Sequence, residues 1–189
     1  MAERKTYHHG ALRQALIDGA KEILAESGHE QFSLNEVARR AGVSTAAPYR
    51  HFTNRDDLLS AVAEEGYQTL AVDLEKATGL VGLGGAYVRF AHEHPGLFVT
   101  MFRSRPGGEA SAAGEAAFGT LLRAVLAAQE SGAIPAYASP ELTARSIWAT
   151  LHGLAVLHLQ RPHERYGLGG EPEELATTTL SALLGVKPE

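Results

Sequence analysis

Apolar residues recur at intervals of three and four along most of the chain, and that period predicts helices. Leu12, Leu16, Ala20, Ile23 and Leu24 mark a first helix over residues 10–28, closed by Gly28. Ser33 stands three residues before Glu36, a capping box that opens a second helix. In it Val37 and Ala38 face inward, Arg39 and Arg40 face outward, and Gly42 ends it. Ser44 caps a third, short helix; Pro48 falls just past its first turn, where proline removes an amide donor. Asn54 caps a fourth over residues 54–77, with Asp56 and Asp57 complementing the helix dipole. Residues 79–85 carry four glycines and read as a break. Further helices follow at 86–93, 96–103, 111–131, 140–160 and 172–184, with loops at 105–108, 132–139 and 161–172. No run alternates as a strand does. The expectation is an all-α chain of about nine helices.

Composition narrows the class. With 189 residues the chain can bury a substantial core, and with no cysteine it has neither disulfides nor a thiolate site. The start lacks the apolar run of a signal peptide, and no apolar stretch is long enough to span a membrane. Both fit a cytoplasmic protein. The net charge of −5 is unevenly spread: residues 1–60 hold eight Lys/Arg against eight Asp/Glu, whereas residues 61–189 hold nine against fourteen. Charge alone does not point to nucleic acid, although phosphate binding needs only a local patch.

The candidate chemistry lies in residues 33–52. Two short helices at a steep angle need a turn residue that accepts a positive φ, and Gly42 supplies one. Val37, Ala38, Val43 and Phe52 are the apolar contacts that lock the pair onto the first helix. Beyond the turn, Ser44, Thr45, Ala46 and Ala47 are small enough to let the backbone approach base edges. Thr45 can hydrogen-bond a base or a phosphate, and Ala46 can meet a thymine methyl. Tyr49, Arg50 and His51 bring polar tips to phosphate reach; Ser33, Arg55, and Arg4 and Lys5 in the N-terminal arm add further contacts. A common helical hairpin is the plainer reading of such a turn. The agreement of caps, turn and the Tyr49–Phe52 cluster favours a helix-turn-helix.

These residues carry a resemblance. Leu34, Val37, Ala38, residues 41–44 (Ala-Gly-Val-Ser), Tyr49, His51, Phe52 and residues 55–59 (Arg-Asp-Asp-Leu-Leu) resemble the DNA-binding domain of TetR-family transcriptional regulators. The usual hydrophobic residue before the tyrosine is Pro48 here. The resemblance implies a homodimer whose first three helices bind an operator half-site. It also implies DNA contacts at Thr45, Tyr49, His51 and Arg55, and a variable C-terminal domain that takes a small molecule. Trp148, His152 and Gly153, with the aromatic segment 94–102, resemble one C-terminal subclass of that family. The implied organisation is an arm and helix-turn-helix domain over residues 1–55, and a ligand-binding and dimerisation domain over 56–189, with helix 54–77 as linker.

In the C-terminal part, Trp148 and His152 share a helix face and border either a pocket or the dimer seam. Equally, Trp148 is core and His152 caps a buried carbonyl. Phe90, Phe98, Met101, Phe102, Phe118 and Leu122 are pocket-lining candidates, and core packing is the plainer reading of each. Arg103 and Arg105 are candidate anchors for an anionic ligand. Leu151, Leu154, Ala155, Leu180, Leu183 and Leu184 are candidates for a four-helix dimer interface.

The expected function is a DNA-binding transcriptional regulator, a repressor released from a palindromic double-stranded operator by a small-molecule effector. The alternatives are a metal-responsive regulator and a helical small-molecule-binding protein without DNA contact. The glycine run at 79–85 lacks the spacing and the preceding strand of a phosphate loop, so no enzyme and no cofactor is expected. His92 and His94 are two residues apart and do not share a helix face, His8-His9 could bind metal only adventitiously, and no metal site is expected.

Overall fold

The structure is a computed structural model that describes residues 9–103, 111–160 and 170–185. Arg4, Lys5, His8, the side chain of His9, Arg105, the 105–108 loop and most of the 161–172 loop lie outside the described residues. Among those described there are eight α-helices and no strand: α1 (His9–Ser27), α2 (Leu34–Arg40), α3 (Arg55–Lys76), α4 (Gly79–Glu93), α5 (Pro95–Phe102), α6 (Ala112–Glu130), α7 (Pro140–Leu159) and α8 (Pro172–Leu184). A single 3-10 turn, Pro48–Arg50, stands where the third helix was expected.

The start signals act as the sequence implies. Ser33 Oγ accepts from the Glu36 amide at 3.2 Å, and Ser139 Oγ accepts from the Leu142 amide at 3.3 Å ahead of Pro140. Asn54 Oδ1 accepts from the Asp57 amide at 2.9 Å, while the Asp57 carboxylate reaches back to the Thr53 amide at 2.8 Å. Each bond satisfies an amide that the first helical turn leaves without a partner.

The chain divides into two compact units. The first, hereafter the head, holds residues 9–66 and 96–103. Its core is Leu16, Ile17, Ala20, Ile23 and Leu24 of α1, Phe32, Leu34 and Val37 around α2, Phe52, and Leu58, Leu59 and Val62 of α3. The second holds the described residues of 67–95 and 109–189, with α4 against α8, α7 and α6. Thus α3 contributes residues 55–66 to one unit and 67–76 to the other, and the head gains α5 from far along the chain.

Two further features depart from the sequence reading. Residues 79–85 are not a break but the first half of α4. Glycine disfavours a helix by about 1 kcal/mol per residue. Here Leu80 and Leu83 are buried, each worth about 2 kcal/mol, and two of the glycines admit α8. A Cβ on Gly84 would collide with Leu180, while one on Gly85 would make ordinary contact with Glu173 at 3.5 Å. Gly84 is therefore a packing residue on a helix. The second departure is α5, which packs within the head. A Cβ on Gly96 would overlap the Leu24 carbonyl, and one on Gly66 would lie 2.7 Å from Met101 Sδ and 2.9 Å from Leu97 Cδ1.

Candidate nucleic-acid interface and effector site

The reading segment begins at a tight turn. The Gly42 amide donates to the Arg39 carbonyl (3.1 Å), the Val43 amide donates to the Ala38 carbonyl (3.0 Å), and Gly42 has φ +67°. Residues 44–52 then run as successive short turns. The Ala47 amide donates to the Ser44 carbonyl at 2.9 Å, and the His51 and Phe52 amides both donate to the Pro48 carbonyl at 2.9 Å. An α-helix here would need the amide of residue 48 to reach Ser44, and proline has none. The segment is consequently a 3-10 turn rather than the expected helix, with Pro48 buried beneath it.

This arrangement exposes the expected side chains unevenly. Ser44, Thr45, Ala46 and Arg50 are exposed, and so is Tyr49 at 58%, whereas His51 is half-buried. Ser33 is exposed, with its hydroxyl occupied in capping α2. Arg55, expected at phosphate, is turned inward. Its Nε donates to the Phe32 carbonyl at 3.2 Å, its Nη2 donates to the His29 carbonyl at 3.1 Å, and its guanidinium lies 5.3 Å from the Phe32 ring centre. Those bonds tie the start of α3 to the α1–α2 turn. A carbonyl that accepts a bond from an arginine more than twenty residues away leaves no mark in sequence spacing.

Charge on the head is mostly neutralised locally. Arg39 Nε donates to Glu36 at 3.0 Å; Arg40 donates to Glu26 at 2.6 Å and to Glu22 at 3.3 Å. Lys21 pairs with Glu65 at 2.7 Å and with Asp18 at 2.9 Å.

The second unit assembles Tyr87 of α4, Phe118 of α6, and Trp148 and His152 of α7. Trp148 Nε1 donates to Tyr87 Oη at 3.3 Å, and Tyr87 Oη lies 2.9 Å from His152 Nδ1. An indole N–H is only a donor, so the Tyr87 oxygen accepts from it, while the Tyr87 hydroxyl and His152 Nδ1 share the second bond. Burial raises the Tyr87 phenol above its usual range and lowers the His152 imidazole, so both groups stay neutral. The Phe118 ring meets the Trp148 ring edge-on at 6.3 Å. Trp148 is 39% exposed, so it is not core, and His152 Nδ1 is in hydrogen-bond contact with a tyrosine hydroxyl. Sequence reasoning missed Tyr87, which lies 61 and 65 residues from its partners.

The other pocket candidates separate. Phe90 is fully buried and Leu122 half-buried in this unit. Phe98, Met101 and Phe102 belong to the head, where Phe98 and Met101 are buried and the Phe98 and Phe102 rings meet at a tilt of 55°, 4.9 Å apart. Arg103 also lies in the head, close enough to His29 for its charge to disfavour the imidazolium. Of the dimer candidates, Leu151, Leu154, Ala155 and Leu180 are core; Leu184 is half-buried and Leu183 is 48% exposed. Besides Trp148, the exposed large apolar side chains on α7 are instead Leu142 (52%) and Leu157 (42%), and a Cβ on Gly153 would meet nothing within 4 Å. Leu142, Ala149, Gly153 and Val156 are spaced seven, four and three apart, a helix-face signal that the sequence already contained. Among the described residues no three His, Asp or Glu side chains gather as a metal site, and no helix is long and apolar enough to cross a membrane.

Comparison with known proteins agrees with this geometry. Residues 16–62 match the family model of bacterial regulatory proteins, tetR family, and residues 80–183 match that of the tetracyclin repressor-like C-terminal domain. An uncharacterised HTH-type transcriptional regulator of Mycobacterium tuberculosis is 25% identical over 157 residues, which span 78% of this chain and 70% of that protein. The structure of a protein of unknown function from Rhodococcus sp. RHA1 is similar with a TM-score of 0.78 and 32% identity, over 98% of this chain and 100% of that one. FadR from Bacillus subtilis in complex with stearoyl-CoA shares the fold, with a TM-score of 0.66 and 18% identity over 90% and 97% of the two chains.

Proposed function

The chain belongs to the TetR family of DNA-binding transcriptional regulators, and from that premise we propose that it is a repressor released from a palindromic operator by an uncharged small molecule. The observation that carries the DNA half is the exposed run Ser44-Thr45-Ala46 with Tyr49 and Arg50, presented by the Gly42 turn. Thr45 and Ala46 face base edges, while Tyr49 and Arg50, with half-buried His51 beside them, grip the backbone. Arg55 and Ser33 act indirectly, by bracing the turn and the start of α2. One head reads one half-site, so a twofold dimer spans two half-sites about 34–36 Å apart or a multiple of that. In this reading the dimer forms through the exposed face of α7 at Leu142, Gly153, Val156 and Leu157, with Leu183 of α8.

The effector binds beside Tyr87, Trp148, His152 and Phe118. The FadR neighbour holds an acyl-CoA, but the chemistry here favours a different class. Every described cation of the second unit is engaged: Lys76 with Asp73, Arg89 with Glu173, Arg123 with the Thr120 hydroxyl, and Arg145 with the Glu141 carbonyl. A neutral aromatic cluster with one Tyr–His hydrogen-bonding pair suits an apolar or aromatic molecule carrying a single polar group. The chain has no catalytic role in this account, and the metal-responsive alternative has no ligand cluster to support it among the described residues.

The switch is a population shift: the effector acts only through its difference in affinity for the DNA-competent and DNA-incompetent states. The chain crosses between the two units three times, within α3, at Pro95–Gly96 and between residues 108 and 109, and these links carry the change. A thermal-shift screen of the full chain against neutral aromatics, alkanols and acyl-CoAs tests the effector class. Stabilisation by neutral aromatics, followed by operator release, is expected; stabilisation by acyl-CoAs alone would overturn it.

A further inference from the structure

We propose that Arg13 of α1 is a phosphate-gripping residue of the head, aimed by the ring of Phe52. The inference rests on the DNA-binding reading above and adds a contact from outside the reading segment. The Arg13 guanidinium carbon lies 5.2 Å from the centre of the Phe52 ring. Phe52 is 1% exposed and directly follows Tyr49-Arg50-His51, so the ring is a fixed platform at the end of that segment. A guanidinium that lies over an aromatic face is attracted by the ring's π cloud. Its five N–H donors point outward in the guanidinium plane, so stacking orients the group without consuming a donor. Arg13 itself is exposed.

The charge balance of the head makes this cation matter. Residues 9–66 hold Arg13, Lys21, Arg39, Arg40, Arg50 and Arg55. Lys21, Arg39 and Arg40 are paired with carboxylates, and Arg55 is spent on two backbone carbonyls. Of these six, Arg13 and Arg50 have no carboxylate or carbonyl partner among the described residues. The head's remaining cation, Arg103, faces His29. Binding to a polyanion is driven by cations free to displace counterions, and a cation already neutralised by a neighbouring carboxylate contributes little. Arg50 lies in the reading turn, and Arg13 is held over the residue that closes it. Together they form a two-point clamp on the phosphates flanking the bases read by Thr45 and Ala46.

The test measures affinity of the full chain for a labelled duplex, recovered by selection with the wild-type protein, by fluorescence anisotropy over a salt series. Arg13→Gln is expected to weaken binding about fivefold per contact at physiological salt and to lower the slope of log affinity against log salt by about 0.9 per contact. Arg13→Lys is expected to keep the wild-type slope, because the charge remains. Arg123→Gln on α6 serves as a control with unchanged slope. A purely structural Arg13 would give a different pattern: Arg13→Gln would retain the slope, with either unchanged affinity or a loss that tracks a lower melting temperature. Either result overturns the proposal. Failure of the wild-type protein to retain any duplex in the selection would instead remove the DNA-binding reading, and this inference with it.

Discussion

His29 donates its Nε2 proton to the Thr100 hydroxyl at 3.0 Å, and Thr100 donates in turn to the Gly96 carbonyl at 2.7 Å. The direction follows from the second bond, since a hydroxyl has one proton to give. The α1–α2 turn is thereby fastened to α5, a helix that enters the head after some thirty residues spent in the other unit. The same tautomer leaves His29 Nδ1 buried without a partner among the described residues.

The pH dependence of the head follows from that histidine. Burial first, and then the charges of Arg103 and Arg55, hold its imidazole below the ordinary 6.5. As pH falls, the unfolded chain therefore takes up this proton before the folded one does. Stability from His29 is full above 6.5 and is lost as pH falls from there through the lower folded value. His152, lowered by burial, adds the same sign in the second unit. Melting temperatures between about pH 8 and about pH 5 are expected to fall less for His29→Gln than for the wild type. An identical pH profile in the two proteins would refute the assignment.

Close packing gives a sharper expectation at Gly96. A Cβ there meets the Leu24 carbonyl and the Ala25 amide, which are helix backbone and cannot rotate away. One at Gly84 meets chiefly the tip of the Leu180 side chain, which can. Gly96→Ala is expected to cost about 3 kcal/mol and Gly84→Ala about 1 kcal/mol. Urea denaturation reads both, and equal losses would show that α5 is not seated against α1.

The local features were legible in sequence because they are local. The Ser33 cap of α2, the Asn54 cap of α3 and the Gly42 turn depend on neighbours within a few residues, and the structure forms each. What was not legible depended on distant partners. The glycines at 84 and 85 read as breakers because nothing nearby reveals α8 closing on them. Phe98 and Met101 carry the same apolar signal in a pocket wall as in a head core, and only tertiary packing decides between them. Leu151 and Leu180 likewise could have faced a partner subunit or the interior; they face the interior. Pro48 was the visible warning that the reading segment could not be an ordinary helix.

Tyr87→Phe tests the polar core of the effector site. Removing the hydroxyl between Trp148 and His152 is expected to cost about 1 kcal/mol of stability. Trp148 is the only tryptophan, so its emission reports the change directly. Operator affinity without effector should stay at the wild-type value, while the effector concentration needed for release should rise. Unchanged emission together with unchanged release would place the effector elsewhere.

Gly153 separates the fold from the assembly. Within one protomer Gly153→Ala meets no neighbour and is expected to stabilise α7 by about 0.5–1 kcal/mol. Gly153→Arg should leave the protomer folded but put a charged side chain into the proposed α7 seam. Light scattering over a concentration series is expected to show a dimer for the wild type and a monomer for Gly153→Arg. Equal masses would move the seam off this face.

The central claim is that residues 44–50, a run of short turns set by Gly42 and ending in the 3-10 turn Pro48–Arg50, read operator DNA. Binding-site selection from a random duplex pool with the full chain tests it most directly, run in parallel for the wild type and for the Thr45→Ala, Tyr49→Ala double variant. The expected result is enrichment of one palindromic sequence by the wild type and loss of that enrichment by the variant, which should still melt as a folded protein. No enrichment with the wild type, or the same sequence enriched equally by both, would contradict the account.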